Sequence, residues 1–398
     1  MSIYNDLFWT WVEQHRDKDT TRLRLGKKNN DPEWIDDAIT QIENERRSII
    51  KFRHEKTWLI PRLMPLGISV EQATSARVAE LHYKISRINA NRQTRVLDMT
   101  CGLGVDASFL ACDTTTHLTA LDLNSKIAEI ATYNFMERPN IEVINGDSVE
   151  WLKSTDERFD LIFIDPARRN DSGGRVYNLH DCIPDVTSLL PLMLAKSTLV
   201  MVKMSPMLDL TQTLRDLPGT RELWVIAERG ECRELLAVID GENTPDPQIT
   251  IWNDGATFSF TMSEEATAQG ECAIPSAGAY LLEPSPATMK AAPFKLLCQR
   301  FNTSMIHPNT HLYTSTEQPH EFPGRIYKIN DIIPYTSGNI RHIARKKLEA
   351  DVATRNFMIG ADALRTRLGI KKNGDTRITG ITAMDGKPYL IFAEKIEP

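Results

Sequence analysis

The chain has 398 residues, 41% of them hydrophobic and 25% charged, and a formal net charge of −6. This length suffices for two or three domains, and no apolar run reaches the roughly 18 residues that a transmembrane helix requires. The first residues lack the basic and apolar parts of a secretory signal, and none of the six cysteines lies in a Cys-x-x-Cys pair. We therefore expect a cytoplasmic protein with reduced thiols, no membrane segment and no metal site.

Residues 1–90 carry the pattern of amphipathic helices. Asp31 followed by Pro32 is typical of an N-cap with proline in the first turn, so this pair predicts a helix that begins at Pro32. Apolar residues then recur on one stripe over residues 35–49. Thr74-Ser75 predicts the start of another helix with a buried face. We expect this region to form a helical N-terminal domain.

Residues 91–245 alternate between strand-like and helix-like runs. The predicted strands are Arg95–Asp98, His117–Asp122, Ile141–Asn145, Leu161–Asp165, Thr198–Lys203, Leu223–Ala227 and Leu235–Ile239. Helical patterns separate the first five strands, which is typical of a parallel sheet, and a short polar connection joins the last two as a hairpin. The pattern predicts a Rossmann-like α/β domain with a mostly parallel sheet of seven strands.

The composition changes after residue 240. The segment GENTPDP at residues 241–247 predicts a linker or an exposed loop. Strand-like and helical runs mix beyond it, including a predicted helix over residues 294–301. We therefore expect C-terminal α+β domains, divided as residues 246–325 and 326–398.

Positive charge concentrates near the C-terminus. Residues 321–398 contain 14 lysines and arginines and nine acidic residues, a local balance of +5, so the rest of the chain carries −11. Four basic residues fall on adjacent turns of one predicted helix, namely Arg341, Arg345, Lys346 and Lys347. Such a cluster predicts a phosphate-binding surface with nucleic acid as a candidate partner, and a merely solvated face is the alternative.

Acidic residues end or follow four of the predicted strands. The first of these strands runs into residues 98–106, DMTCGLGVD, where two glycines lie two apart before an apolar helical run. Such a turn lets the backbone approach a nucleotide-like ligand at the carboxyl end of a parallel strand. Asp122, Asp147 and Asp165 stand at the later strand ends. We expect these groups to meet at one edge of the sheet, although each Asp taken alone could instead be a helix N-cap.

Because these residues stand at successive strand ends, residues 92–240 resemble class I S-adenosylmethionine-dependent methyltransferases. The resemblance implies S-adenosylmethionine as cofactor, held by Asp98, Thr100, Gly102, Gly104, Asp106, Asp122, Leu123, Asp147 and Ser148. It makes Asp122 the ribose-binding acid and Asp147 the adenine contact, and it assigns Asp165 and Pro166 to the catalytic loop. A dinucleotide dehydrogenase fits less well, because Ala107 stands where its third glycine is expected.

The residues of the glycine turn also resemble those of one subgroup of these methyltransferases. Residues 98–106 are similar to those of enzymes that methylate guanine N2 in RNA. Amino-group methyltransferases carry Asp/Asn-Pro-Pro-aromatic after the fourth strand, whereas this chain has DPAR at residues 165–168. The RNA 5-methyluridine enzymes need a nucleophilic cysteine after the fifth strand, and residues 203–206, KMSP, contain none. We expect four residues to border the substrate pocket, namely Arg168, Arg169, Lys203 and Ser205.

The layout of the whole chain is similar to that of a bacterial family of methyltransferases with a ferredoxin-like segment and a C-terminal THUMP-like domain. THUMP domains bind structured RNA, so the resemblance and the basic C-terminal region both indicate rRNA or tRNA as partner. We expect an S-adenosylmethionine-dependent RNA methyltransferase, with a guanine exocyclic amine as one candidate acceptor. The alternatives are a catalytically silent RNA-binding protein on the same scaffold and a small-molecule methyltransferase.

Overall fold

The structure is a computed structural model that describes residues 4–168 and 178–396. The chain divides into two compact units. The first comprises Met1–Thr220 and Ala237–Asn243, and the second comprises Arg221–Leu236 and Thr244–Pro398. Within the described residues, no helix is both long enough and apolar enough to cross a membrane.

The first unit begins with helices, as predicted. These are α1 (Asp6–His15), α2 (Thr20–Leu25), α3 (Ile35–Ser48), α4 (Gly67–Gln72) and α5 (Ala76–Ser86), with a 3₁₀ turn at Thr57–Leu59. The predicted start of α3 at Pro32 is wrong, because the Asp31 carboxylate accepts a hydrogen bond from the Lys28 N–H (2.8 Å) instead of capping α3. The predicted start of α5 is confirmed, since the Ser75 side chain accepts from the Val78 N–H.

The N-terminal helices share one hydrophobic core with the first helices of the α/β region. Phe8 and Ile42 are fully buried in this core, together with Phe109 and Ile130 from the α/β region. Burial of an aromatic or aliphatic side chain of this size stabilises a fold by about 1.5–3 kcal/mol. The helical segment is therefore packed onto the α/β region through apolar side chains.

The α/β region follows with alternating elements. Its strands and helices are β1 (Thr94–Asp98), α6 (Val105–Leu110), β2 (Thr116–Asp122), α7 (Ser125–Asn134), β3 (Ile141–Asn145), α8 (Ser148–Ser154), β4 (Leu161–Ile164), β5 (Ala167–Arg168), β6 (Cys182–Ile183), α9 (Val186–Lys196), β7 (Val200–Met204), α10 (Leu210–Asp216), β8 (Thr220–Glu228) and β9 (Glu231–Ile239). A 3₁₀ turn lies at Leu179–Asp181. The short strands β5 and β6 pair with each other.

The elements of the C-terminal part mix strands and helices. They are β10 (Gln248–Asn253), β11 (Ala256–Thr261), α11 (Met262–Thr267), β12 (Tyr280–Pro284), α12 (Pro286–Ala291), α13 (Phe294–Phe301), β13 (Ser304–Met305), β14 (Tyr313–Ser315), β15 (Gly324–Pro334), α14 (Ser337–Lys346), β16 (Asp351–Arg355), α15 (Ala361–Arg367), β17 (Thr376–Thr382) and β18 (Pro388–Lys395). Helix α13 has the predicted bounds.

The larger sheet differs from the predicted one. Among the described residues it has nine strands in the order β11-β10-β8-β9-β7-β4-β1-β2-β3. The five strands β3, β2, β1, β4 and β7 are parallel, as predicted. The predicted number of seven is wrong, because β10 pairs with β8 in parallel and β11 pairs with β10 antiparallel, which makes the sheet mixed. Ile249 and Ile251 of β10 are buried, and the Asp254-Gly255 turn, with both residues at positive φ, joins β10 to β11.

The second sheet lies in the second unit and has the strand order β13-β14-β12-β15-β18-β17-β16. Its pairs are antiparallel except β16 with β17. Helices α14 and α15 contribute Ile343 and Leu364 to one of the buried clusters of this unit, and Leu368, directly after α15, belongs to the same cluster. Of the residues of α14, only Ile343 is buried, and Ile340 is partly buried against the same cluster.

Candidate active site

The turn after β1 has the backbone that its two glycines permit. Gly102 and Gly104 have φ angles of +55° and +83°, in the left-handed region that side chains disfavour. A Cβ at Gly104 would also collide with the ring of Phe135, whereas one at Gly102 would meet no atom within 4 Å. Gly102 therefore leaves open space over the turn, and Gly104 allows α6 to begin close to α7.

The carboxylate of Asp122, at the end of β2, holds this turn in place. It accepts hydrogen bonds from the N–H groups of Gly102 (3.0 Å) and Asn124 (2.9 Å). Burial raises the pKa of Asp122. The next residue, Leu123, is 72% exposed, and its carbonyl accepts from the side chain of Asn145 at the end of β3. The ends of β1, β2 and β3 are therefore joined at one edge of the sheet.

Asp147 follows β3 and caps α8. Its carboxylate accepts from the N–H groups of Val149 (2.8 Å) and Glu150 (3.3 Å), and Ser148 is buried as the first residue of the helix. The alternative reading of this Asp as a helix cap is therefore correct. A capping role is compatible with a ligand contact, because a carboxylate has more than one acceptor position.

Asp98, at the end of β1, is 1% exposed, and its side chain accepts from the Thr100 N–H (2.9 Å). Burial raises its pKa from 3.8 to about 8, and the charges of Asp106, Asp165 and Asp122 act in the same direction. A buried carboxyl surrounded by other carboxyls favours its neutral form. Its burial and its carboxyl neighbours therefore keep Asp98 protonated.

Asp165 follows β4 directly, and Pro166 comes next. The Asp165 N–H donates to the hydroxyl of Thr100 (2.7 Å), and one carboxylate oxygen accepts from the ammonium of Lys203 on β7 (2.6 Å). The side chain of Asp165 is 40% exposed, whereas that of Lys203 is only 11% exposed. Lys203 therefore holds, from the buried side, a carboxylate that reaches the surface.

Asp106 lies on α6 and is engaged by the N-terminal segment. Its carboxylate oxygens accept from the hydroxyl of Thr74 (2.5 Å) and from Nδ1 of His82 (2.8 Å). Burial alone would raise its pKa, but the charge and hydrogen bond of His82, the charge of Lys203 and the hydroxyl of Thr74 together hold the pKa below its ordinary value. Sequence reasoning missed Thr74 and His82 as parts of this site, because their partners lie more than 20 positions away.

The remaining predicted substrate residues belong to different parts of the chain. Ser205 follows β7, and its hydroxyl accepts from the Met207 N–H (3.3 Å) in a turn. Arg168 belongs to β5, and Arg169 lies outside the described residues. The four basic residues of the C-terminal cluster belong to the second unit. Three of them lie on α14, and Lys347 ends that helix in a left-handed conformation.

The residues at this edge fit S-adenosylmethionine. The open space at Gly102 admits a ligand against the backbone, and the acid at the end of β2 is of the type that binds ribose hydroxyls. Among residues 4–168 and 178–396, no group of three or more His, Cys, Asp or Glu side chains could hold a metal ion.

Comparison with protein families finds three matching segments. Residues 96–168 match a methyltransferase domain, residues 280–323 a ferredoxin-like domain, and residues 324–395 a THUMP domain-like family. The first and third matches include the glycine turn and α14, respectively. They agree with the resemblance that the strand-end residues indicate.

Two relatives extend the comparison. A crystal structure described as a "putative methyltransferase" from Porphyromonas gingivalis W83 is 30% identical, with 98% of each chain covered and a TM-score of 0.86. An "Uncharacterized RNA methyltransferase" of Mycoplasma mobile, MMOB5020, is 27% identical over 152 residues, which span 37% of this chain and 41% of that relative. On the strength of the full-length match and the domain matches, the chain belongs to a family of S-adenosylmethionine-dependent methyltransferases that carry a ferredoxin-like and a THUMP-like domain.

Proposed function

We propose that the protein transfers a methyl group from S-adenosylmethionine to structured RNA, either rRNA or tRNA. The observation that carries the RNA part is an exposed basic surface on the THUMP-like domain, Arg341, Arg345, Lys346 and Lys347, which we name the α14 basic face. The description of the Mycoplasma relative as an RNA methyltransferase supports the same substrate class.

The charges of the α14 basic face are available to a ligand. All four side chains are exposed, and none of them forms an ion pair with a described residue. Within the described part of the chain, the only side-chain hydrogen bond of the four runs from Arg341 Nε to the Ser337 carbonyl (3.1 Å) of the same helix, which leaves the guanidinium charge uncompensated. Exposed cations that form no ion pair are typical of surfaces that bind the phosphates of nucleic acid.

The residues at the strand ends are the ones to which we assign cofactor binding and methyl transfer. When bound, S-adenosylmethionine supplies an electrophilic methyl group. We assign its binding to the nine residues that the sequence predicts, among them Gly102, Asp122 and Asp147. The exposed carboxylate of Asp165, held by Lys203, would orient the methyl acceptor, and Pro166 would shape the loop beside it. Arg168, Arg169 and Ser205 complete the proposed substrate pocket. Catalysis of this kind depends mainly on holding the two reactants in line.

The exocyclic amine of guanine is the acceptor that we propose. The resemblance of the glycine turn to that of guanine-N2 enzymes supports this choice. Asp165 would accept a hydrogen bond from the amine and orient its nitrogen for the methyl group that S-adenosylmethionine would supply, and the methylated nitrogen would lose one proton to water. Ala167 in place of the second proline of amino-group enzymes makes the identity of the product nucleoside the sharpest test of this assignment.

The experiment uses the full chain, methyl-labelled S-adenosylmethionine and total RNA from a strain that lacks the gene. We expect label in RNA, and we expect mass spectrometry of the digested RNA to identify a methylated guanosine. RNA from the parent strain is the matched control, because its sites are already methylated and should accept little label.

The outcomes separate the alternatives. Label in a hydroxyl or ring position would contradict the amine assignment but not the RNA substrate. Label in a small-molecule extract and none in RNA would indicate a small-molecule methyltransferase. RNA binding without any transfer would indicate a catalytically silent RNA-binding protein.

A further inference from the structure

A chain of hydrogen bonds runs from α5 in the N-terminal segment to Asp165. His82 and Thr74 both bond the carboxylate of Asp106, at 2.8 and 2.5 Å. The Thr74 hydroxyl also accepts from the ammonium of Lys203 (3.0 Å), which in turn bonds Asp165 (2.6 Å). These hydrogen bonds therefore connect α5, which lies outside the strand-end loops, to the carboxylate proposed to hold the methyl acceptor.

The residues joined by these hydrogen bonds are shielded from water, except for Asp165 at the end of the series. His82 and Thr74 are buried, and the side chains of Asp106 and Lys203 are only 12% and 11% exposed. Asp165 is the member that reaches the surface, with 40% of its side chain exposed. Buried polar groups keep a defined geometry only when each is satisfied, and removing one member leaves its partners without compensation. The position of Lys203 therefore depends on the acceptors that surround its ammonium.

Thr74 is suited to fix the ammonium because its single hydroxyl performs two tasks. It donates its proton to the Asp106 carboxylate, so a lone pair is left to accept from Lys203. The backbone of Thr74 is itself held, since it directly precedes Ser75, the N-cap of α5. A lysine side chain is long and flexible, so a fixed acceptor is needed to keep its ammonium in one place.

We infer that Thr74 is a positioning residue for the methyl-acceptor site, acting through Lys203 on Asp165, with His82 and Asp106 fixing Thr74 from behind. This inference rests on the proposed role of Asp165. It places the junction between α4 and α5 among the elements that determine the rate of methyl transfer. It also gives the N-terminal helical segment a part in catalysis beyond packing.

The test compares Thr74→Val with Thr74→Ser. Valine keeps the shape of threonine but removes the hydroxyl, whereas serine keeps the hydroxyl. Using total RNA from the deletion strain, we expect Thr74→Val to lower kcat by about tenfold or more, while the KM for RNA and the Kd for S-adenosylmethionine stay within about twofold. Thr74→Ser should restore most of the lost kcat. Unchanged kcat in Thr74→Val, or an equal loss in both variants, would overturn the inference.

A second measurement covers the case in which Thr74→Val folds poorly. Lys203→Ala creates space for an added primary alkylamine, and we expect n-propylamine to restore part of the lost kcat in that variant. Addition of Thr74→Ser to Lys203→Ala should preserve this rescue, whereas addition of Thr74→Ala should abolish it. Equal rescue with and without the Thr74 hydroxyl would contradict a positioning role, because a purely structural residue would not decide whether an added amine acts.

A third measurement separates this inference from the proposed function. If the wild-type protein transfers no methyl group to RNA, the proposed function fails, and the inference is then judged from crystal structures of the wild type and Thr74→Val. We expect the carboxylate of Asp165 to leave its wild-type position in the variant. An Asp165 side chain in the same place in both crystals would overturn the inference.

Discussion

The neutral state of Asp98 makes stability depend on pH in a specific way. Burial raises the pKa of this carboxyl from 3.8 to about 8, so between pH 4 and pH 8 the folded chain keeps a proton that the unfolded chain releases. The free energy of unfolding that this group contributes is complete below pH 4. It falls by about 1.4 kcal/mol per pH unit above that and is lost once the pH has risen through 8. From pH 6 to pH 8 the loss amounts to about 2 kcal/mol. Asp98→Asn removes the titration while its amide oxygen still accepts from the Thr100 N–H.

The assay is urea unfolding of the wild type and Asp98→Asn at pH 6, 7 and 8. We expect the variant to gain about 2 kcal/mol on the wild type between pH 6 and pH 8. Asp246→Asn is the matched control. Hydrogen bonds from the side chains of Ser263 and Thr261 lower the pKa of Asp246, so its carboxylate stays ionised from pH 6 to pH 8 and this variant should lose the same stability at every pH. Parallel pH profiles for the wild type and Asp98→Asn would refute the reasoning.

Three further outcomes are expected. Asp122→Ala should weaken S-adenosylmethionine binding at least about tenfold by calorimetry, because charge-assisted hydrogen bonds are lost, and unchanged affinity would contradict the assignment. Glu283 is buried and pairs with Arg377 (2.9 Å) and Arg355 (2.9 Å), so Glu283→Ala should lower the free energy of unfolding by about 3–5 kcal/mol in urea titrations, and a loss under about 1 kcal/mol would contradict this view. Replacement of the α14 basic face by glutamine should reduce the slope of log K against log salt for RNA by roughly two to four units, and an identical slope would indicate a solvated surface.

The parallel half of the sheet could be predicted because its signals are local. Each of the strands β1 to β4 ends within a few residues of an Asp, and the glycine turn after β1 marks the change from strand to helix. The predicted bounds of β3 and α13 match the structure. The strands β10 and β11 are not predicted from the sequence, because they follow a polar segment that is typical of a linker between domains. The Asp254-Gly255 turn that joins them is a local hairpin signal, but it does not indicate which sheet the two strands extend.

The residue types of the site could be predicted from the sequence, but most of the hydrogen bonds between them could not. Sequence spacing places Asp165 and Lys203 at the ends of neighbouring strands, so their ion pair is a consequence of parallel topology. The bonds of Asp106 to Thr74 and His82 depend on how the N-terminal helices pack onto α6. That packing depends on contacts between residues far apart in the sequence, such as the edge-to-face contact of the His54 ring with that of Phe109, which no local sequence pattern predicts.

The most direct test of the central claim is nucleoside mass spectrometry of rRNA and tRNA from a deletion strain complemented with either wild-type protein or Asp165→Ala. Our account predicts one methylated nucleoside that is missing in the deletion strain, restored by the wild type and not by the variant, with the variant still folded and still binding S-adenosylmethionine. Identical RNA modification in the parent and deletion strains, with no other enzyme supplying the methyl group, would contradict it.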